Sequence, residues 1–559
     1  MEKSISIHII CLLACFTLCG CFSNTKTHQE FGKAYYFNAT LGNDANKGAS
    51  PESAWKSLRK IQKIQFKPGD KILLAAGNTF PEPIVLKNVI GTKENPIVVS
   101  TYSNTDKNKK GYIHAKGYKN GILIDNCSFV HVENLKVNAS IGEIQEAKTK
   151  NSMRCGVLVK ITKPGMYEQI YLSNLEVHDV FFEEEGFKRP EKEVETANGT
   201  QNYGWGIRIV NKVKNAVLKD VKVANSIIEN VAHTGIKLTS KKYNGTFGIV
   251  DFEISNNKVL KTGGPGIQMS GVSNGHIHGN SVNYSGSNDD SRKWGRGSGL
   301  WTWDSDRVLI EKNHFTNANG PGDSSGAHID YNCSNIVLQY NFSANNAGGF
   351  CEILGNSYNC AYRYNISVND GYRIKGKNNA FQEGKIFWLS GYTGNNEKRK
   401  GPYNTYFYNN TIYSKNNIQA KIAIDRGVDG VLIANNIFHI ESNATVVKGD
   451  QYNPETDGKW KVKNVFFKNN VFLHKSSWPK DQRLQDQQPI IGNANFINIK
   501  GSGAESFIPK NIKLIKDKGL EIPKIKNDTI GIVYGLNLTK DILGSNINGL
   551  PDIGAIELK

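Results

Sequence analysis

The sequence has little methionine, a deficit of acidic residues and no long apolar run, and each shortage argues against a class of protein. Only 4 of the 559 residues are methionine, whereas 55 are glycine, which favours short strands and many turns over a helical fold. The apolar run at residues 9–18 is too short to cross a bilayer as a helix. Lysine and arginine exceed aspartate and glutamate by 18. Such a charge attracts anionic partners such as nucleic acid or acidic polysaccharide, and a basic surface without a partner is the alternative.

The N-terminus is typical of an export signal, because a charged start and a short apolar run precede a small residue and a cysteine. Residues 18–21, Leu-Cys-Gly-Cys, resemble the bacterial lipoprotein cleavage box. The resemblance implies that residues 1–21 are a signal peptide, that Cys21 carries the lipid and that residues 22–33 form a tether. An ordinary secretory signal is the alternative. We expect an exported outer-membrane lipoprotein on the periplasmic or cell-surface face, held to the membrane only through its lipid.

Cysteine usage argues against a disulfide or zinc framework, with pairing of Cys333, Cys351 and Cys360 across neighbouring coils as the alternative. Five cysteines remain beyond the signal region, and none of them forms a C-x-x-C pair. We expect buried thiols at these positions: Cys127, Cys155, Cys333, Cys351 and Cys360.

The chain repeats itself between residues 90 and 475. One series of strands begins with a glycine every 27 to 33 residues, and a second series ends in asparagine. The glycines are Gly206, Gly235, Gly266, Gly299 and Gly326, and the asparagines are Asn257, Asn280, Asn313, Asn341, Asn365, Asn410, Asn436 and Asn470. Repeats of this length that cannot bury a face alone indicate a solenoid, and the short strands make it a β-solenoid.

We therefore predict an all-β fold, a parallel β-helix over residues 34–490. A short amphipathic helix at residues 53–64 is expected to cap its first coil, since a terminal coil would otherwise expose its core. Residues 491–559 are expected to pack on the β-helix as a tail. Asparagine suits the corners between strands, because it tolerates left-handed backbone angles and its amide can bond the next coil. An all-β sandwich is the rival fold, but it would not produce this register between the two series.

Several stretches carry a family resemblance. The Tyr-Tyr-Phe start at residues 35–37, the turn at 42–44, the Trp-Lys-Ser-Leu segment at 55–58 and the closing residues 551–557 resemble secreted right-handed parallel β-helix proteins of the pectate-lyase-like superfamily. Residues 299–371 are similar to lipoprotein members found with polysaccharide-degradation systems. The resemblance implies a right-handed fold and a carbohydrate substrate. It does not select a reaction, because the superfamily holds lyases, an oligosaccharide dehydratase and glycoside hydrolases.

The register predicts which side chains share a face. Alternate side chains of a strand face opposite ways, and parallel strands stack about 4.8 Å apart. If the first residue after each glycine points inward, the second residue after it points outward. These second residues form an outward column, namely Arg208, Lys237, Gln268, Trp301 and His328. The side chains two residues further along each strand share this face, namely Val210, Thr239, Ser270, Trp303 and Asp330. Whether Glu352 faces outward with the column depends on whether Gly348 or Gly349 sets the register of its coil.

The basic charge and this column favour β-elimination on a uronate. Arg208 suits the neutralisation of the sugar carboxylate, because a guanidinium forks onto carboxylates. Lys237 or His328 suits the base that removes the C5 proton. Asp330 shares a face with His328 and would orient the imidazole or bind a cation.

Hydrolysis is the alternative reaction, since two carboxylates must flank the bond. Asp304, Asp330 and Glu352 lie on adjacent coils and fit that requirement. Trp301 and Trp303 are expected to form a sugar platform. The other predicted substrate contacts are Gln268, Arg296 and Arg373. A glycan-binding solenoid without catalysis is the third interpretation.

Neither reaction requires a cofactor. Calcium is compatible with the fold, because carboxylates and carbonyls on adjacent coils make oxygen cages, but the sequence assigns no metal ligand. The expected partner is an acidic polysaccharide or oligosaccharide that contains uronate, with or without sulfate groups. Export and the Trp/His/Asp column disfavour nucleic acid, and we expect a monomer.

Overall fold

The computed structural model describes residues 32–103, 108–140, 153–181, 204–286, 296–394, 396–447, 462–479, 486 and 489–559. The predicted signal peptide, the predicted lipid attachment at Cys21 and most of the predicted tether lie outside the described residues. Within the described ranges, no helix is both long enough and apolar enough to cross a membrane.

The chain winds through three parallel sheets, and each coil passes through sheet 2, then sheet 1, then sheet 3. Sheet 1 consists of Ala34–Phe37, Lys71–Ala75, Ile97–Tyr102, Val130–Glu133, Gly165–Ser173, Ala216–Ala224, Ile249–Ser255, Val272–His278, Asp306–Glu311, Ser334–Gln339, Ala361–Arg363, Tyr403–Tyr408, Asp429–Ala434 and Lys463–Lys468. Sheet 2 consists of Ile84–Lys87, Asn120–Asp125, Arg154–Ile161, Gly204–Asn211, Ile236–Ser240, Ile267–Ser270, Leu300–Trp303, Ala327–Ile329, Gly349–Ile353, Lys385–Leu389, Ala420–Ile424 and Ala444–Val446. Sheet 3 consists of Thr79–Phe80, Gly111–His114, Leu135–Ala139, Glu176–Val180, Ile227–Val231, Lys258–Thr262, Ser281–Ser285, His314–Thr316, Phe342–Ala344, Ile366–Val368, Thr411–Ser414, Ile437–Ile440, Val471–Phe472 and Ile490–Ile491. A small antiparallel hairpin joins Lys242–Tyr243 to Thr246–Phe247.

One apolar core runs along the axis of these sheets. In a representative coil, Ile267 and Met269 of sheet 2, Ile277 of sheet 1 and Val282 of sheet 3 are fully buried in the same cluster. Alternation along each strand sends every second side chain into this core. The predicted all-β parallel β-helix is confirmed.

The glycine series has a steric cause. A methyl group at Gly266 would overlap the side chain of Val282 in sheet 3 and the carbonyl of Gly299 in the next coil. Gly235 stands in the same relation to Val259 and to the carbonyl of Gly266. The chain thus enters sheet 2 where the core of sheet 3 leaves no room for a Cβ. Only glycine fits at the start of these strands.

The asparagine series forms a continuous ladder of side-chain amides. Nδ2 of each member donates to Oδ1 of the next, from Asn257 to Asn470, over 2.9 to 3.0 Å. The left-handed residue of the corner is the one before each ladder asparagine, for example Asn256 at φ 55° and Tyr364 at φ 50°. The ladder was predicted correctly, whereas the left-handed angle was assigned one residue too late.

The N-terminal cap is built from 3₁₀ turns instead of the amphipathic α-helix that the sequence predicted for residues 53–64. The turns are Pro51–Ser53 and Leu58–Lys63. Leu58 and Ile61 are buried in the axial core. Residues three apart lie on one side of a 3₁₀ helix, so this spacing closes the first coil as well as an α-helix would.

The C-terminal segment follows the outer faces of two sheets. Ile515 and Ile553 pack with Phe342 outside sheet 3, and Ile522 and Ile532 pack with tyrosines outside sheet 1. Among the described residues, the apolar clusters outside sheet 2 contain no member of this segment. In these clusters, the outer face of sheet 2 therefore packs against side chains other than those of the C-terminal tail.

The ladder makes a testable prediction about stability. Changing Asn341 to Ala removes the acceptor of the backbone and side-chain N–H groups of Asn313, and it removes the donor to the carbonyl of Ile310. Orphaned buried polar groups each cost about 1–3 kcal/mol, so we expect a loss of about 3 kcal/mol and a lower urea midpoint. Asn548→Ala, at an exposed position, is the control. Equal midpoints for the two variants would contradict a structural role of the ladder.

Candidate functional site

The outer face of sheet 2 carries a column of in-register side chains, here called the outer column. It consists of Arg208, Lys237, Gln268, Trp301, His328, Glu352 and Trp388. His328 points outward, because its neighbours Ala327 and Ile329 belong to the axial core. Ser325 bridges to Gly349, so Glu352 lies one coil from His328, and the question that the sequence left open is answered.

The outer column is covered, in contrast to the open face that the alternation predicted. Trp301 is 5 % exposed, His328 is 1 % exposed and Glu352 is 4 % exposed. Water is therefore largely excluded around these groups, and charges there interact more strongly than on an open surface. Alternation determined which way the side chains point, but it did not predict the burial.

Trp301 is held by a hydrogen bond to the next coil. Its Nε1 donates to Oδ2 of Asp330 over 2.7 Å, and its ring lies 5.2 Å from the ring of His328 and 5.3 Å from that of Trp303. Trp303 keeps part of its surface accessible. Of the two predicted platform residues, Trp303 is thus the one with a surface to offer a sugar.

His328 lies in a chain of buried polar groups. Its Nδ1 is 2.9 Å from Oγ of Ser298 and 3.9 Å from Oε2 of Glu352. Ser325 Oγ donates to the same carboxyl oxygen of Glu352 over 3.1 Å. Burial lowers the pKa of His328 to about 4, so its imidazole is neutral at neutral pH.

Asp323 is the functional candidate that the sequence analysis missed. Arg296 Nη1 lies 2.8 Å from its Oδ1, although Arg296 was predicted to contact substrate. Burial alone would raise the pKa of Asp323, but the charges of Arg296, His328 and Arg373 outweigh it and hold that pKa below its ordinary value. Asp323 adopts a left-handed φ of 40° in a turn before the strand, so no alternation pattern places it.

Asp330 and Glu352 are shifted in the opposite direction. Burial raises the pKa of Asp330 to about 7, and the charge of Asp323 adds to the increase. Burial also raises the pKa of Glu352 well above its ordinary value, with further contributions from Asp323 and Asp330. The site therefore holds an ionised carboxylate at Asp323 beside carboxyl groups that favour the protonated form.

The other predicted site residues lie further away or have structural contacts. The guanidinium of Arg208 lies over the ring of Trp205 at 4.2 Å, four coils from His328. Arg373 donates to the backbone carbonyls of Gln382, Gly320 and Glu383, which fixes its own loop. Asp304 is a left-handed turn residue whose pKa is raised by burial.

No group of three or more histidine, cysteine, aspartate or glutamate residues in the described ranges is placed to hold a metal ion. The described cysteines beyond the signal region are free and buried.

A second recess lies on the outer face of sheet 1 and is lined in part by Tyr171, Asp220, Glu253 and Tyr534. Its charged groups are already paired, since Lys222 Nζ lies 3.0 Å from Glu253 and Tyr171 donates to Asp220 over 2.7 Å. We therefore place the candidate site on sheet 2.

Trp301 offers a test of the electrostatics of the site. Its N–H stabilises the charged form of Asp330, so Trp301→Phe should raise the pKa of Asp330 above about 7. Titration of ¹³C-labelled aspartate carboxyl groups by NMR measures this shift. Trp388→Phe is the matched control, because Trp388 makes the equivalent bond to Asp425 over 3.2 Å. An unchanged Asp330 titration in Trp301→Phe would contradict the arrangement.

Comparison with known proteins supports the fold. Residues 205–381 match the family model described as "Right handed beta helix region", which confirms the predicted handedness. The lacto-N-biosidase of Bifidobacterium longum subsp. longum is 23% identical over 95% of this chain, but the alignment covers 37% of that protein. This chain thus corresponds to well under half of the curated relative that it matches.

Two solved structures are similar as well. The GH136 lacto-N-biosidase from Eubacterium ramulus has a TM-score of 0.52 at 19% identity, covering 78% of this chain and 68% of that one. Pectate lyase Pel9A has a TM-score of 0.37 at 13% identity, with 95% and 97% covered. The first of these two likenesses adds to the case for a right-handed parallel β-helix.

Proposed function

We propose that this protein is a glycoside hydrolase whose buried carboxyl groups Asp323 and Asp330 cleave a glycan. The observation that carries the proposal is their opposite protonation preference: Arg296 holds the pKa of Asp323 low, while burial raises that of Asp330 to about 7. Two neighbouring carboxyl groups with separated pKa values are the requirement for an acid and a base in one site.

The roles follow from the protonation states. Protonated Asp330 gives its proton to the glycosidic oxygen as the bond to the anomeric carbon breaks, and the leaving sugar departs as an alcohol. Ionised Asp323 acts at the anomeric carbon, either as nucleophile or as the base that takes a proton from water. Trp303 supplies a ring for the sugar to stack on.

We favour hydrolysis over the β-elimination that the sequence favoured. Elimination needs a cation on the sugar carboxylate and a base at the same ring. Arg208 lies four strand steps, about 19 Å, from His328. The pKa of His328, about 4, makes it a weak base. The partly buried Lys237 remains the best argument for a lyase, because burial lowers the pKa of its ammonium.

The similarity to two lacto-N-biosidases supports a glycosidase and an oligosaccharide or polysaccharide substrate. The excess of 18 basic residues supports an acidic glycan. We further propose that the protein is exported, is attached to the membrane through a lipid at Cys21 and acts as a monomer. A solenoid that only binds glycan is less well supported, because binding alone gives no reason to bury three carboxyl groups together.

Substitution of the two aspartates tests the proposal. Asp330→Asn removes the acid and Asp323→Asn removes the ionised carboxylate, so each should lower kcat by about 10²–10⁴-fold on a cleaved glycan. Asp251→Asn, on the outer face of sheet 1, is the control and should retain the wild-type rate. The measurement is release of reducing sugar from a panel of glycans. Wild-type rates in Asp330→Asn would sink the assignment.

The pH profile gives a second test. Activity requires ionised Asp323, so kcat/KM should fall only below the ordinary aspartate range, because its pKa is lowered. Activity also requires protonated Asp330, so kcat/KM should fall as the pH rises through about 7. Trp301→Phe should move the alkaline limb upward. An alkaline limb that stays at the same pH in that variant would argue against Asp330 as the acid.

A further inference from the structure

Lys237 is a cation without a carboxylate partner in the part of the chain that the structure describes. Burial lowers the pKa of its ammonium well below the ordinary value, and the nearby charges of Arg208 and Lys212 lower it further. Its described contact is with the ring of Trp303, 5.8 Å from Nζ. Two further cations therefore act on this ammonium, and no acidic side chain of the described ranges contributes to the pKa of Lys237.

Neighbouring polar groups on the same face are also unsatisfied. Gln268 follows Lys237 in the column and is 1 % exposed, and its Oε1 has no hydrogen-bond partner in the described structure. Thr239 lies two residues after Lys237 on the same face, is 6 % exposed, and its Oγ1 is likewise unpaired. Buried polar groups are normally hydrogen-bonded, and each exception calls for an explanation.

Folding gains nothing from this arrangement. An unpaired, partly buried charge and unsatisfied buried polar groups both lower stability, and groups of this kind concentrate at functional sites. A bound ligand that supplies an anion to the ammonium and hydroxyl groups to the amide and threonine would satisfy all three side chains.

We propose that Lys237, Gln268 and Thr239 form a subsite that binds the carboxylate or sulfate of a sugar ring next to the cleaved bond. This inference rests on the proposed hydrolase function, because it places an acidic residue of the same glycan. Lys237 lies two strand steps from Trp301 and three from His328, which is about 10 and about 14 Å. That separation corresponds to one or two sugar rings from the carboxyl groups.

Trp303 connects the two parts of the site. Its ring lies 5.3 Å from that of Trp301 and 5.8 Å from Nζ of Lys237. A sugar stacked on the accessible surface of Trp303 would present a ring substituent to the ammonium. Gln268 would then accept from a hydroxyl of the same ring through its unpaired Oε1.

Binding to matched glycan pairs tests the subsite. The probes are tetragalacturonate with its methyl ester, and a chondroitin sulfate tetrasaccharide with its desulfated form, titrated against the full chain by its tryptophan fluorescence. We expect one charged member to bind at least about tenfold more tightly than its neutral partner. The pair that shows the preference tells whether the subsite takes a carboxylate or a sulfate.

Lys237→Met removes the charge and keeps most of the volume of the side chain. We expect it to abolish the charge preference, to leave the affinity for the neutral member unchanged, and to raise the thermal midpoint, since an unpaired, partly buried charge is gone. Lys258→Met, at an exposed position of sheet 3, is the control and should keep the preference. The proposal would be overturned if, in both pairs, the charged and neutral members bound equally or did not bind. A charge preference that survives in Lys237→Met would overturn it as well.

The same experiment separates this subsite from the hydrolase proposal. Asp330→Asn should keep the charge preference, because the acid takes no part in binding the anion. If Asp330→Asn cleaved at the wild-type rate while Lys237→Met lost the preference, the hydrolase assignment would fail and the anion subsite would stand. If the preference were absent while Asp330→Asn lost activity, the subsite would fail alone.

Discussion

The coil-to-coil register is the constraint on which the rest of the structure depends. At one corner, the core of sheet 3 leaves no room for a Cβ, so glycine stands at a fixed height before consecutive strands of sheet 2, as at Gly235 and Gly266. At another corner, the asparagine ladder ties each coil to the next through buried amides. Together they prevent a one-residue slip, which would exchange the inner and outer side chains of a strand. The outer column exists because this register is kept.

Burial then converts the column into a chemical site. The carboxyl groups of Asp323, Asp330 and Glu352 lie close enough for their charges to influence one another. Burial raises the pKa of all three, and at Asp323 the charges of Arg296, His328 and Arg373 reverse the effect. These charges, with Arg296 at 2.8 Å, thus divide the cluster into an ionised carboxylate and protonated neighbours. The separation needs the enclosed environment, because on an open surface water would weaken both effects.

Much of this could be predicted from the sequence. The spacing of Gly266, Gly299 and Gly326 indicated the register, and alternation then placed Trp301 and His328 on one face. Asp323 could not be found in this way, because it lies in a turn where no periodicity applies. A signal existed in the run of glycine and serine around it at residues 320–326, which indicates a tight turn directly before a column strand.

Long-range contacts explain the remaining differences. Arg296 and Arg373 were predicted as sugar contacts from their charge, but their partners, Asp323 and the carbonyl of Gly320, come from other loops. The helix type of the cap could not be predicted, because the spacing of Leu58 and Ile61 suits a 3₁₀ helix as well as an α-helix.

The product masses test the central claim most directly. Hydrolysis adds one water across the cleaved bond, so the masses of the two products together exceed that of the substrate by one water. Elimination conserves mass and leaves an unsaturated sugar. We predict the added water for every glycan that the wild-type protein cleaves. Products whose masses sum to that of the substrate would contradict a hydrolase built on Asp323 and Asp330.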